Sequence, residues 1–420
     1  MDIVCPEAKR RNHMRIAMIS YHACPLAYQE GKETGGMQVY VLELAKALVK
    51  MGHRVDIYTR IQDTVSPEIV DFLPGMRVIH LPAGPRHSLD KKLLVKHIPV
   101  FVKNLHRYIR RNKLSYDVIH AHYYQSGLIA MHWKSQHGIR TPLVTSFHTL
   151  ALIKNMVART PAEAATPERV TIEFDLVKKS AAIVAASVLD REYLISLYNC
   201  PAEVISVINP GVDTAVFKPI PKKEALDYIA SATHDKIILF VGRIEPLKGI
   251  DVLMHAIKIL QAKKPSLDAC LLIVGGQKGE GRPEELLRLK KLEKTLGISP
   301  IVGYITQRHQ HELPYYYNAA EVMVLPSYYE SFGMTALEAM ACEVPVIITN
   351  TSGISSLFGH ELSQLIVSAN NPLELASQID NAINDQQFRL EYKQKVRQLI
   401  RHFTWEETAR KTTAVYKRIS

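Results

Sequence analysis

Short apolar runs alternate with longer amphipathic segments along the first half of the chain. Each run has the length and apolar content of a strand buried in a parallel sheet. The runs are RIAMIS (15–20), RVDIYTR (54–60), MRVIHLP (76–82), YDVIHAH (116–122), TPLVTSFHT (141–149) and AAIVAAS (181–187). Between the first two, TGGMQVYVLELAKALVKMG carries apolar residues at helical spacing, and Gly52 stands where a helix C-terminal cap belongs. This order predicts the strand–helix–strand crossover of a doubly wound α/β domain.

A second series of apolar runs begins after a stretch of turn-forming residues. An Asn-Pro-Gly sequence and the prolines that follow it make residues 209–221 the predicted linker. Beyond it we expect a helix at about 249–262 and the strands KIILFVGR (236–243), ACLLIVGG (269–276), EVMVLPS (321–327) and VPVIIT (344–349). The last segment opens with a capping box, Thr404 and Glu407, and predicts a terminal helix.

These elements predict an α/β fold of two facing Rossmann-like domains with a cleft at the carboxyl ends of both sheets. A chain of 420 residues is long enough for two such domains. We place the first domain at residues 1–208 and the second at 209–403. The helix at about 404–420 is expected to pack back on the first domain.

Composition and charge narrow the class of protein. Hydrophobic residues make up 47% and charged residues 22% of the chain, which is typical of a globular protein. No apolar run approaches the roughly 18 residues that span a bilayer, and the N-terminal MDIVCPEAKRRNH lacks the apolar region of a secretion signal. The five cysteines form no C-x-x-C pair, which favours reduced thiols and a cytoplasmic location. The net charge of +11 suits phosphorylated ligands, an anionic membrane or nucleic acid, but no known nucleic-acid-binding motif accompanies it.

Gly35 and Gly36 come directly before the first predicted helix. Glycines at this position let a phosphate approach backbone N–H groups at the positive end of a helix. An ordinary strand-to-helix turn would have the same sequence. The chain lacks the G-x-G-x-x-G pattern of dinucleotide-binding proteins, which disfavours a nicotinamide enzyme.

GRIEPLKG (242–249) places two cations beside the start of a predicted helix. Arg243 ends a buried strand, and Lys248 follows five residues later. Two cations near a helix N-terminus suit a diphosphate, whose charge is spread over several oxygens. Solvated surface charge is the alternative interpretation.

YYESFGMTALEA (328–339) contains two carboxylates around a turn and the apolar start of a helix. The helix is predicted to begin near Gly333 or Met334, which would leave the first backbone amides of the turn directed at the cleft. Glu330 would then precede the helix, and Glu338 would lie about one turn inside it. A pair of solvated glutamates is the simpler alternative, but the turn and the upstream cations favour a ligand site.

These motifs together resemble the retaining glycosyltransferases of family 4, which have the GT-B fold. Glu330 and Glu338 are separated by seven residues, as in the E-x7-E motif of that family. The resemblance extends from Arg15 to about Ile419, and the family's motifs follow in the expected order. They include ISYHACPL, TGGMQVYVLELA, HAHYYQSG, FHTLALIKN and FVGRIEPLKG.

The resemblance implies a role for individual residues toward the sugar donor. Matching positions that act in catalysis are Arg243, Lys248, Glu330 and His148. Matching positions that bind the donor are Gly35, Gly36, His22, Phe332, Gly333, Met334 and Glu338. The family reaction uses no metal ion, so the resemblance implies that no cofactor is required.

On the acceptor side, the resemblance implies a site for a phosphate group. Its four positions carry two cations and two hydroxyls from separate segments: Lys91, Tyr123, Thr149 and Arg169. Gln38 stands where family members acting on inositol phosphate have asparagine, and either amide can hydrogen-bond a polyol. The loop TSGISSLFG (351–359) replaces a Gly-Gly loop of the family, and SQLIV (363–367) lacks the family's glycine.

Two further patterns have simpler explanations than a ligand site. The histidine pairs His120 and His122, and His309 and His311, have the two-residue spacing of metal ligands on a strand, but no third ligand accompanies them. Core or surface histidines are favoured. The segment 91–111 resembles a basic amphipathic helix that could touch an anionic membrane, and packing on the sheet explains its apolar stripe equally well. Pro99 argues against one continuous helix.

The motifs and the resemblance therefore imply an enzyme that transfers glucose or N-acetylglucosamine from a UDP-sugar, with retention of configuration. The expected acceptor is a hydroxyl of a phosphorylated polyol or sugar such as inositol phosphate. A lipid or polysaccharide acceptor, a UDP-sugar epimerase and a non-catalytic sensor of nucleotide sugars are the alternatives. The expected partners are these small molecules, without nucleic acid; a homodimer is possible, and membrane contact is not favoured.

Overall fold

Two parallel sheets, one in each half of the chain, form the framework of the protein. The computed structural model describes residues 13–27, 35–229, 235–276 and 283–420. The N-terminal MDIVCPEAKRRNH lies outside these ranges except for His13, and the absence of a secretion signal stays a prediction. Every predicted strand is present, and most end one to three residues earlier than the apolar run because the last residues turn into a loop.

The first half contains an eight-stranded sheet in the order β3-β4-β2-β1-β5-β6-β7-β8. Neighbouring strands are parallel except β3, which pairs with β4 in the antiparallel sense. The strands are β1 (Arg15–Ile19), β2 (Arg54–Arg60), β3 (Ile69–Leu73), β4 (Met76–Leu81), β5 (Val118–His122), β6 (Leu143–Ser146), β7 (Ala182–Ala185) and β8 (Ile205–Val207).

The second half contains a six-stranded sheet in the order β11-β10-β9-β12-β13-β14, in which all neighbours are parallel. Its strands are β9 (Lys236–Val241), β10 (Ala269–Val274), β11 (Val302–Ile305), β12 (Val322–Leu325), β13 (Val346–Thr349) and β14 (Ile366–Val367). The predicted α/β fold of two Rossmann-like units is confirmed.

Helices cover both faces of each sheet, as a parallel sheet buried on both faces requires. In the first half they are α1 (Gly36–Lys50), α2 (Lys91–Leu94), α3 (Ile98–Arg111), α4 (Tyr124–His137), α5 (Ala151–Met156), α6 (Pro167–Lys179) and α7 (Val188–Tyr198). Those that follow are α8 (Lys222–Ile229), α9 (Ile250–Lys263), α10 (Pro283–Leu296), α11 (Leu313–Ala319), α12 (Met334–Ala341), α13 (Pro372–Asn384), α14 (Gln386–Ile400) and α15 (Trp405–Ile419).

The basic amphipathic segment 91–111 is two helices rather than one. Pro99 lies in the first turn of α3, where its missing N–H costs nothing, and the chain turns through a short 3-10 segment before it. The apolar stripe of α3, which includes Phe101 and Leu105, is buried in the core of the first half. Packing therefore accounts for the amphipathic pattern. Within the described ranges, no helix has the length and hydrophobicity needed to cross a membrane.

The chain crosses between the halves twice, and the two crossings lie side by side. The backbone N–H of Val212 donates to the carbonyl of Phe403 at 2.9 Å. A Cβ atom at Gly211 would lie 2.3 Å from the backbone nitrogen of Trp405, so only glycine permits this approach. After the second crossing, α15 packs against α1, and Trp405 and Tyr416 join the core of the first half. The predicted return of the last helix to the first half is what the structure contains.

Gly249 separates Lys248 from α9, and its backbone presses against the end of β12. Its φ of +64° is matched by the +63° of Gly138 at the end of α4. A Cβ atom at Gly249 would lie 2.1 Å from the carbonyl oxygen of Pro326, whereas one at Gly138 would meet nothing within 4 Å. The two glycines therefore share their backbone conformation but differ in their surroundings.

We predict that Gly249→Ala destabilises the protein more than Gly138→Ala. Both substitutions carry the cost of a left-handed residue, about 1–2 kcal/mol. Gly249→Ala adds a backbone collision worth at least a further ~1–3 kcal/mol. Urea unfolding of the two variants beside the wild type measures the difference, and equal midpoints for both variants would contradict the described approach to Pro326.

Candidate active site

A cleft of about 290 Å³ lies between the halves, at the carboxyl ends of both sheets. From the first half it is lined by residues that follow β1, β4, β5, β6, β7 and β8, and from the second half by residues that follow β9, β10, β11 and β12. Loops at the carboxyl ends of parallel strands are where ligands bind in open α/β sheets. The cleft therefore lies where the sequence predicts the ligand site.

An ion pair between Lys248 and Glu330 lies in this cleft. The Nζ of Lys248 contacts Oε2 of Glu330, and both side chains are largely buried. Lys248 ends a short 3-10 turn whose direction is fixed by Gly249 against Pro326. Low exposure strengthens the attraction between such charges, because less water screens them.

Arg243 enters the cleft from the end of β9 and also carries a carboxylate partner. Its Nη1 donates to Oε1 of Glu245 at 2.7 Å. A Cβ atom at Gly35 of the first half would lie 3.7 Å from Nε of Arg243, and one at Gly36 would lie 3.7 Å from Sδ of Met334. The two-glycine turn of the first half therefore lies directly opposite the cation and the helix start of the second half.

The loop that departs from the family pattern supports the Glu330 segment. The backbone of Glu330 accepts from the N–H of Gly353 at 2.8 Å and donates to the carbonyl of Thr351 at 3.2 Å. A third hydrogen bond, from Ile354 N–H to the carbonyl of Phe332, is 2.8 Å long. A Cβ atom at Gly353 would lie 2.1 Å from the carbonyl oxygen of Ser331, which explains a glycine here.

Glu338 is a buried carboxyl on the first turns of α12, which begins at Met334 as predicted. Its Oε2 accepts from the Tyr317 hydroxyl at 2.8 Å, and its Oε1 accepts from Nε2 of Gln310 at 3.3 Å. Burial raises the pKa of Glu338 to about 7, while the hydrogen bond from Tyr317 acts in the opposite direction. This carboxyl therefore changes its charge near neutral pH.

Histidines form part of the cleft wall in the first half: His22 and His148 line the cleft and are partly buried, and His122 is fully buried behind them. Nε2 of His148 is 3.1 Å from Nδ1 of His122, and His148 has a left-handed backbone with φ +60°. Burial lowers the pKa of His148 to about 3 and that of His22 well below its usual value, with further lowering of the latter by Lys91 and His148. These imidazoles are neutral at physiological pH.

The histidines of the two-residue pairs are core or surface residues. His120 is buried between the Tyr416 hydroxyl, 2.6 Å from its Nδ1, and the Ser146 hydroxyl, 2.9 Å from its Nε2. His309 and His311 are exposed on the surface of the second half. Nowhere in the described ranges do three His, Cys, Asp or Glu side chains group as metal ligands.

Three of the four predicted phosphate-binding residues form one hydrogen-bonded cluster. The guanidinium of Arg169 donates to the Tyr123 hydroxyl at 3.1 Å, to the Thr149 hydroxyl at 3.1 Å and to the Thr149 carbonyl at 2.8 Å. Glu173 accepts from Nε of Arg169 at 2.7 Å and balances its charge. Arg169 is only 4% exposed, so it supports Tyr123 and Thr149 from behind.

Every residue predicted for the site lines this cleft except Arg169 and Gln38. The side-chain oxygen of Gln38 instead accepts from the backbone N–H of Gly35 at 2.9 Å and caps α1. Its contact with a polyol stays a prediction. Residues of the cleft that the sequence reasoning missed follow β10 and β11 or precede α11: Gly275, Gly276, Gln307, Arg308 and Gln310. Their position at strand ends is the signal that could have identified them.

Comparison with known proteins identifies the class of this fold and site. The model of Glycosyltransferase Family 4 matches residues 34–216, and that of Glycosyl transferases group 1 matches residues 222–399. The chain is 35% identical over 415 residues to the D-inositol 3-phosphate glycosyltransferase of Thermobispora bispora, covering 97% of this chain and 96% of the relative. It is also 35% identical to the enzyme of that name from Nocardioides sp., covering 96% and 90%.

The chain therefore belongs to the GT-B glycosyltransferases, in the family that includes the D-inositol 3-phosphate glycosyltransferases. Sucrose-phosphate synthase of Thermosynechococcus elongatus superimposes with a TM-score of 0.86 at 27% identity, over 97% of this chain and 99% of that structure. The Anabaena protein HepE, crystallised with UDP-glucose, has the same fold with a TM-score of 0.74 at 18% identity, over 97% and 100%. The resemblance found in the motifs is confirmed, and the protein is a glycosyltransferase.

Proposed function

We propose that this enzyme moves a sugar from a UDP-sugar to a hydroxyl of a phosphorylated polyol or sugar, with retention of configuration. The observation that carries this proposal is the charge of the cleft. Lys91 lines it from the first half, and Arg243 and Lys248 line it from the second. A cleft with cations on both walls suits two anionic ligands, one held by each half.

The second half is suited to the donor. Arg243 and Lys248 would hold the diphosphate beside the start of α12, where backbone amides and the helix dipole favour negative charge. Glu338 would accept hydrogen bonds from the two ribose hydroxyls, and Glu330 would contact the transferred sugar. HepE, a structural neighbour, is described with UDP-glucose, which supports a uridine nucleotide.

The first half is suited to the acceptor. Tyr123 and Thr149 present hydroxyls that the buried Arg169 holds in place, and Lys91 adds a positive charge at the same wall. This arrangement suits a phosphate, which accepts several hydrogen bonds at once. The relatives named D-inositol 3-phosphate glycosyltransferases support inositol phosphate as the first acceptor to test.

Retention is assigned to a front-face reaction. Glu330 is held in the ion pair with Lys248, which makes it a poor nucleophile. The acceptor oxygen would bond to the anomeric carbon as the bond to the diphosphate breaks, on the same face of the sugar. The diphosphate would take the acceptor proton, and the two cations would stabilise its developing charge. The reaction proposed here needs no cofactor, because these side chains supply the charge that a divalent cation would otherwise supply.

A UDP-release assay tests the proposed function. UDP-glucose and UDP-N-acetylglucosamine are each combined with inositol phosphate, with fructose 6-phosphate and with the unphosphorylated forms of both acceptors. We expect UDP release to depend on a phosphorylated acceptor. Conversion of the donor alone would identify an epimerase, and tight donor binding without turnover would identify a sensor. Equal rates with phosphorylated and unphosphorylated acceptors would contradict the acceptor phosphate site.

Replacing Lys248 by methionine is expected to lower the transfer rate on the order of 10²–10³-fold, because the variant lacks one of the two cations that stabilise the leaving diphosphate. The methionine side chain is unbranched and only one heavy atom shorter than that of lysine, so packing changes little. Lys263→Met, at the exposed end of α9, is the matched control and should leave the rate unchanged. Near-normal turnover of Lys248→Met would place the diphosphate elsewhere.

Binding of UDP-glucose is expected to tighten as pH rises through 7. Glu338 accepts two ribose hydroxyls only as a carboxylate, and its pKa of about 7 leaves it mostly protonated below that pH. About a tenth is ionised at pH 6 and about nine tenths at pH 8, so the Kd should fall about tenfold between them. Calorimetry at both pH values measures this change. Glu338→Gln should bind weakly and lose most of this dependence, and a tenfold change of Kd with pH in that variant would assign the effect to another group.

A further inference from the structure

Asp190 of the first half reaches across to the segment that carries Glu330. It lies in the first turn of α7, where its backbone N–H donates to the Ser187 hydroxyl at 3.1 Å. Its side chain is turned toward the second half, with the residue only 6% exposed. Nothing in the sequence separates this carboxylate from an ordinary acidic residue at a helix start.

Both oxygens of Asp190 bind hydroxyls of the second half. Oδ1 accepts from the Tyr329 hydroxyl at 2.8 Å, and Oδ2 accepts from the Ser331 hydroxyl. These two donors are the residues directly before and after Glu330. One carboxylate therefore fixes the chain on both sides of a residue that is paired with Lys248.

The surroundings of these bonds belong to both halves. Tyr329 is 1% exposed and packs in the core of the first half, with its ring 6.2 Å from that of Tyr193 on α7. A Cβ atom at Gly353 would lie 2.5 Å from the Ser187 hydroxyl and 2.1 Å from the Ser331 carbonyl. The contact is thus closely packed, and Asp190 has little room to move.

The buried position of Asp190 disfavours ionisation of its carboxyl group. Burial raises the pKa of Asp190 to about 7, the bonds from Ser331 and Tyr329 lower it, and the nearby Glu330 raises it again. A core built only for stability would hold an apolar residue here, since an apolar pair of the same shape replaces a buried polar contact at little cost. Unlike an apolar residue, the carboxylate accepts directional hydrogen bonds, which fix the positions of their donors.

We infer that Asp190 is a positioning residue that acts through Tyr329 and Ser331 to hold Glu330 at Lys248. Asp190 does not line the cleft, so its effect on the reaction passes through these two hydroxyls. The catalytic pair of the second half therefore depends on a carboxylate of the first half. This inference rests on the proposed function, in which Glu330 contacts the transferred sugar.

The test compares Asp190→Asn with the wild type in binding and in turnover. Its matched control is Glu192→Gln, an exposed carboxylate on the same helix. For Asp190→Asn we expect kcat with UDP-glucose and inositol phosphate to fall about 10–100-fold, while the Kd for UDP changes less than about threefold. The ratio of the Kd values for UDP and UDP-glucose should also shift, because only the sugar reports the position of Glu330. Glu192→Gln should match the wild type in all of these.

Two further variants keep the test independent of the folding of Asp190→Asn. Tyr329→Phe and Ser331→Ala each remove one donor and retain the carboxylate. Together they should lower kcat as much as Asp190→Asn, and adding Asp190→Asn to them should lower it little further. Unchanged kcat in the folded Tyr329→Phe/Ser331→Ala protein would overturn the inference.

The failure of the inference and the failure of the proposed function look different. A wild type that turns over donor and acceptor, with variants that differ from it only in unfolding temperature, overturns the positioning role alone. If the wild type binds UDP-glucose but transfers nothing, the proposed function fails, and the positioning role is decided by binding alone. A ratio of the Kd values for UDP and UDP-glucose that is the same in Asp190→Asn and the wild type would then overturn it. A wild type that binds neither UDP nor UDP-glucose overturns both.

Discussion

The ion pair between Lys248 and Glu330 is the central contact of the cleft. Each partner is fixed by a different part of the second half: Lys248 by the close approach of Gly249 to β12, and Glu330 by hydrogen bonds to the loop that begins at Thr351. Each device uses a glycine that a larger residue cannot replace. A pair of opposite charges that is held this firmly gives a ligand a fixed field to bind, and no reorganisation is needed during the reaction.

The first half contributes to this field rather than merely facing it. Asp190 binds the hydroxyls beside Glu330, and the glycine turn at residues 35–36 lies against Arg243 and Met334. Neutral histidines line the same wall, so the positive charge of the cleft comes from lysine and arginine at defined points. The two halves therefore form one cleft, which is lined by residues that follow strands of both sheets.

Much of the fold followed from apolar runs, because parallel strands buried on both faces are continuous and easily recognised. Four strands were not predicted: β3 is an exposed antiparallel edge, and β8, β11 and β14 have only two to four residues each. The glutamates and cations of the site are local motifs and were found for that reason. Asp190 was missed because its partners lie 139 and 141 residues away, and no local pattern records a contact across that distance.

The return of α15 to the first half has a consequence for synthesis on the ribosome. Residues of α15, among them Trp405 and Tyr416, complete a core whose other members are made much earlier, and the buried His120 gains its Tyr416 partner only then. Domains usually fold in the order in which they are made. Here part of the core of the half that is translated first stays uncovered until residues 405–419 emerge. Nascent chains of this enzyme are thus expected to need protection by chaperones for longer than their first domain alone would suggest.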